Sequence, residues 1–148
     1  MEHELTRRRA GGVLVFGDST ACNPDLYYCV RADLPRGGIY VKKLDAHPIL
    51  VVSDIDLDNA EKSIVKRLGT YSDYGYEKIA REHGPDRAFP LLCDRILHTH
   101  QVQGKVVISG KNEVSSALNL VDELRRLGHR IVGETHPTLF ESLRETKE

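Results

Sequence analysis

A serine on the exit turn of a buried strand is one place where a protein can present a nucleophile, and Gly17-Asp18-Ser19 directly follows the apolar run Val13-Leu-Val-Phe16. Hydrolysis would also need an imidazole to take the serine proton and an acid to fix its tautomer. Asn112 and His136 follow Ser19 in chain order. Ordinary turn chemistry at Gly17-Asp18-Ser19 and helix capping by Asn112 account for the same residues. A second donor set, Cys93, Asp94, His98 and His100, carries the atom types a transition ion takes. Asp94 and His98 share a helix face, whereas His98 and His100 point about 200° apart if helical. Neither a catalytic residue nor a native metal site is therefore expected. The third set is Tyr27, Tyr28 and Arg31. Asn23-Pro24-Asp25 reads as a turn, and Leu26, Tyr27 and Tyr28 then alternate along an extended edge. Arg31 at its exit can offer a planar fork of donors to a carboxylate. These three are the candidate substrate or partner contacts; tyrosines half-buried in the core and an Arg31 paired with Asp25 or Asp33 are the plainer alternative.

The elements that must position these residues alternate between strand and helix. Val13–Phe16 is a central strand, buried on both faces. Residues 39–42 and 49–53 form an antiparallel pair beside it, joined by a loop of hairpin length. A helix from about Asp58 carries Leu57, Ala60, Ile64 and Leu68 at helical spacing and ends at Gly69. Residues 70–85 read as loop plus a short helix at 76–83, and a further helix runs from Pro90 to His100 with the proline in its first turn. Lys105–Ser109 is a strand, followed by an amphipathic helix with Val114, Ala117, Leu118, Val121 and Leu124, ended by Gly128. Residues 130–133 form a strand, and a terminal helix from Pro137 places Leu139, Phe140 and Leu143 on one side. The predicted fold is a single α/β domain over residues 1–148, a mixed sheet flanked by helices.

Composition bounds the partners. The 148 residues carry 21 Lys plus Arg against 22 Asp plus Glu, so no bulk field attracts nucleic acid or anionic lipid. Arg7-Arg-Arg9 reads as a solvated tail. The longest apolar runs fall far below the ~20 residues of a membrane helix, and no signal-peptide core follows the N-terminus. A cytoplasmic protein without membrane or nucleic-acid partners is expected. Cys22, Cys29 and Cys93 lack any Cys-x-x-Cys spacing and are expected to be reduced, one or more of them buried.

Gly17-Asp18-Ser19, Gly110-Lys-Asn112-Glu113 and His136-Pro137 resemble the motif blocks of GDSL-type lipases and esterases, which implies a small serine esterase using Ser19 as one reading, although the Asp-x-x-His block of that family has its acid where Gly133 stands here and Glu134 is only two residues from His136. A longer pattern covers nearly the whole chain: Asn23-Pro-Asp-Leu-Tyr-Tyr28, Arg31-Ala-Asp-Leu-Pro35, Ile39-Tyr-Val41, Pro48-Ile-Leu-Val-Val-Ser-Asp54 with Ala60, and Leu143-Arg-Glu-Thr-Lys147-Glu148. It resembles the N-terminal domain of the creatinase, prolidase and Xaa-Pro aminopeptidase family. The resemblance implies a ribonuclease H-like α/β fold and a non-catalytic role in dimerisation and substrate access. It also implies a separate C-terminal catalytic domain, with a dinuclear divalent metal site of two Asp, one His and two Glu, as the partner, together with a homodimer and short peptides. No cofactor is expected in this chain. Whether it is a fragment or a stand-alone homologue stays open at this point.

Overall fold

The structure, a computed structural model, describes residues 1–134 and 137–145. In chain order these residues form α1 (Glu2–Arg7), β1 (Gly12–Gly17), α2 (Pro24–Val30), β2 (Gly38–Lys43), β3 (Ile49–Val52), α3 (Leu57–Glu61), β4 (Arg67–Thr70), α4 (Tyr76–His83), α5 (Pro85–Thr99), β5 (Lys105–Ser109), α6 (Val114–Arg126), β6 (Arg130–Val132) and α7 (Leu139–Glu145). The strands make one mixed sheet of order β4-β3-β2-β1-β5-β6, in which β2 runs against all the others. β1 is interior, pairing antiparallel with β2 (Val15 opposite Tyr40) and parallel with β5 (Gly12 opposite Val106).

Side chains of β1 alternate between two cores, because successive strand residues face opposite sides. Val13 and Val15 pack with Leu5, Leu26, Val30, Leu34 and Phe140 under α1, α2 and α7. Leu14 and Phe16 pack with Leu92, Ile96, Leu97, Leu120 and Leu124 under α5 and α6. Both faces of the sheet are thus covered, which is why the strands read as continuous apolar runs.

Five elements depart from the sequence expectation. Residues 24–30 are helix rather than extended edge: Asn23 Oδ1 accepts from the Leu26 amide at 3.3 Å and Pro24 occupies the first turn, a start signal that outweighs the alternation of Leu26, Tyr27 and Tyr28. The helix expected to run to Gly69 ends at Glu61, and residues 67–70 are β4 instead. Val65 is drawn into the core while Ile64 is 60% exposed, and a side chain at Gly69 would meet the Tyr74 ring at 3.3 Å. α5 begins at Pro85, leaving Pro90 inside it. The Asp86 carbonyl that loses its partner to Pro90 accepts from the Asn119 side chain at 3.3 Å, so a neighbouring helix supplies the missing donor. On α6 it is Leu120 and Leu124 that are buried, while Val114 and Leu118 lie on the exposed flank. Arg7-Arg-Arg9 is no free tail: Leu5 is fully buried in α1, and the Arg8 side chain reaches the Pro137 carbonyl at 2.9 Å and Ser142 Oγ at 3.0 Å.

Candidate functional site

The carboxyl ends of β1 and β5 open into a cleft of about 720 Å³, at the point where the chain leaves β1 toward one side of the sheet and β5 toward the other. Such crevices are where open α/β sheets place ligands. Its walls offer the flat apolar surfaces of Phe16, Tyr71 and Phe89, with Asp18, Arg36 and Asn112 among the polar groups. Phe16 and Phe89 pack at 5.9 Å between centroids with their planes tilted by 42°. Arg36 is held by Asp56 at 3.1 Å, whose carboxylate is almost fully buried.

Backbone packing at the cleft is close. A side chain at Gly110 would meet the Phe16 carbonyl oxygen at 2.1 Å, and Gly37, at φ 72°, leaves only 1.9 Å to the Gly17 carbonyl oxygen. The Phe16 carbonyl accepts from two amide side chains, Asn23 Nδ2 at 3.1 Å and Asn112 Nδ2 at 3.0 Å. Asn112 therefore fixes the strand exit rather than capping α6, whose N-cap is Glu113 without a side-chain bond. Ser19 Oγ caps a turn of 3-10 helix, accepting from the Ala21 amide at 3.1 Å. Among the described residues no imidazole hydrogen-bonds to it, and His136 of the esterase reading lies outside them.

Tyr27, Tyr28 and Arg31 stay together, but on α2 and its C-terminus. Tyr27 is 45% exposed. Tyr28 meets Phe140 edge-on at 5.8 Å and so joins α2 to α7. Arg31 takes the left-handed conformation at the helix end (φ 55°), donates to the Tyr28 carbonyl at 3.0 Å and lies over the Tyr28 ring at 5.1 Å. Asp25, expected as an alternative partner of Arg31, instead pairs with Arg144 and accepts from Ser109 Oγ.

The two histidines near the end of α5 part company: His98 lies on the helix, and His100 is the residue that ends it. His100 Nδ1 lies 3.2 Å from Arg67, which can only donate, so Nε2 carries the proton toward Tyr74 Oη at 2.7 Å. Burial, with Arg67 and Lys43 nearby, holds its pKa below the ordinary value. His98 instead joins Asp94 and, unexpectedly, His129. Sequence spacing could not reveal His129, which reaches Asp94 only through the packing of α6 on α5. Cys29 and Cys93 are buried and Cys22 exposed; burial pushes both buried thiols up. Among the described residues no helix is long and apolar enough to cross a membrane.

No family model matches the chain, and no curated protein matches it by sequence. Solved structures do. The X-Pro aminopeptidase of Thermotoga maritima superposes with a TM-score of 0.62 at 8% identity, over 97% of this chain and 35% of that one. The prolidase of Pyrococcus horikoshii gives 0.57 at 13% identity, over 97% of this chain and 33% of that one. The creatinase/prolidase N-terminal domain of an X-Pro dipeptidase from Streptococcus pyogenes gives 0.54 at 12% identity, over 97% of this chain and 93% of that domain. The chain thus spans about a third of the two longer enzymes and nearly all of the isolated domain. Its mixed six-stranded sheet, covered by helices on both faces, is the fold of the creatinase/prolidase N-terminal domain.

Proposed function

We propose that the chain serves as the non-catalytic N-terminal domain of a metal-dependent Xaa-Pro peptidase, in which it contacts the catalytic domain, pairs with a second copy and narrows the path by which short peptides reach the metal centre. The observation that carries this reading is the extent of the fold match, nearly end to end with an isolated N-terminal domain and over only a third of the longer enzymes. Two surfaces support it. The exposed flank of α6 places Val114 and Leu118, 72% and 59% exposed, beside Ile108 and Val121, an apolar strip of the kind that docks a partner. The neighbouring cleft, with aromatic walls and Arg36, offers surfaces to a prolyl ring and a cation to a carboxylate. The dinuclear centre that the family resemblance implies needs two Asp, one His and two Glu. Among the described residues the cluster of Asp94, His98 and His129 is a different donor set, so no peptide hydrolysis is assigned to it.

The test assays the 148-residue chain for hydrolysis and for self-association. With Mn2+ present, it is expected to cleave neither an Xaa-Pro dipeptide nor a nitrophenyl ester, and to sediment as a dimer. Dipeptide turnover by the chain, or ester turnover that disappears in Ser19→Ala, would overturn the reading.

A further inference from the structure

Away from the cleft, three metal-ligating side chains converge from two elements. Asp94 Oδ1 lies 2.7 Å from His129 Nε2 and 3.0 Å from His98 Nδ1, and the three ligand atoms all lie within 4.8 Å of one another. We propose that Asp94, His98 and His129 bind one divalent transition ion of the zinc type, clamping α5 to the start of β6.

Two local devices place the three ligands. Asp94 and His98 are one turn apart on α5, whose other face is locked into the core by Leu92, Cys93, Ile96 and Leu97. His129 is set by the way α6 ends: the Gly128 amide donates to the Arg125 carbonyl and the His129 amide to the Leu124 carbonyl, both at 3.0 Å, a Schellman closure that Gly128 permits at φ 101°. The His129 side chain is 8% exposed, Asp94 19% and His98 66%, so the cluster is anchored on one side and reachable from solvent on the other.

Donor chemistry selects the ion. Two imidazole nitrogens and one carboxylate oxygen suit zinc and its neighbours, whereas calcium and magnesium take oxygen ligands. With bonds of about 2.0–2.1 Å, tetrahedral ligand atoms stand roughly 3.3 Å apart, so each hydrogen-bonded gap to Asp94 Oδ1 opens by a few tenths of an ångström. Exposed His98 can swing to complete the geometry, and water takes the fourth position. On binding, the proton on each ligating nitrogen leaves to the other ring nitrogen or to solvent. None of the three residues lines the cleft, so the ion is a staple between elements and has no part in peptide chemistry.

Tag-free protein titrated with zinc chloride by calorimetry should show saturable one-to-one binding, undiminished by millimolar magnesium. Cobalt should give the visible bands of a tetrahedral ion. His98→Ala, at an exposed position that leaves the fold intact, and His129→Ala should each weaken zinc binding at least roughly tenfold. His100→Ala should bind as the parent does, and zinc should raise the melting temperature of the parent and of His100→Ala but not of His98→Ala. Absence of saturable binding, displacement by magnesium, or full affinity in His98→Ala would each overturn the proposal.

Discussion

Asn23 works with both ends of its amide. Its oxygen caps α2, its nitrogen holds the Phe16 carbonyl at the end of β1, and it is 1% exposed, so no water can stand in for either bond. Asn23→Ala therefore loses a helix cap and a buried donor together, a cost of about 1–3 kcal/mol. Asn23→Asp keeps the cap but sets a buried carboxylate oxygen against the Phe16 carbonyl oxygen, so at neutral pH it should be at least as destabilised as Asn23→Ala; urea denaturation of the three proteins measures the order. A variant as stable as the parent would show that Asn112 alone satisfies the carbonyl. At this scale the sequence was only partly readable. Asn23 was legible as turn-forming, and Asn112 as a helix-capping type, yet both roles are decided by one carbonyl at the end of β1, far from Asn112 in sequence. The same holds for His129, whose partner Asp94 is fixed by the packing of helices and by no local spacing.

Between elements, the contact of α1 with α7 is made by charge as well as apolar surface. Glu4 accepts from Arg7 at 2.8 Å and from Arg8 at 3.0 Å, and Arg8 continues to the start of α7. The Arg7 hydrogen bond, opposed by burial and reinforced by Arg8, holds the Glu4 carboxyl at about 2, below its ordinary 4.5. A carboxylate with a depressed pKa contributes stability that is complete above the ordinary value and fades as pH falls toward the folded one. The parent should therefore exceed Glu4→Gln in stability at neutral pH, and the gap should close between about pH 4.5 and 2 when both are unfolded with denaturant. A gap independent of pH would assign the difference to packing. The strands were legible because runs such as Val13–Phe16 and Lys105–Ser109 are apolar on both faces, and only that arrangement buries them. The start of α3 was legible too, but residues 62–69 were not, since the continued helical spacing of Ile64 and Leu68 is coincidental: β3 offers a free parallel edge, and pairing Leu50 with Leu68 outweighs a marginal helix.

For the whole molecule, the apolar flank of α6 is the surface most in need of cover. Under the proposed pairing the parent should sediment as a dimer, and Leu118→Glu with Val114→Lys should convert it to monomer with the melting temperature nearly unchanged, because both side chains are exposed. Dimer persisting in the double variant would move the interface to an edge strand or to Tyr27 and Arg31. The position of β1 has another consequence, for the order in which the chain is assembled. Its pairing with β2, as between Val15 and Tyr40, closes a short loop, whereas Gly12 must wait for Val106, a separation roughly two doublings longer that costs on the order of 1 kcal/mol more in closure entropy. During synthesis the β1-β2-β3 meander can form first and stand with the β5 side of Val13–Phe16 unpaired. Until residues 105–109 leave the ribosome, a strand that the finished fold buries on both faces is an open edge, and nascent chains held at that length are the species most exposed to aggregation.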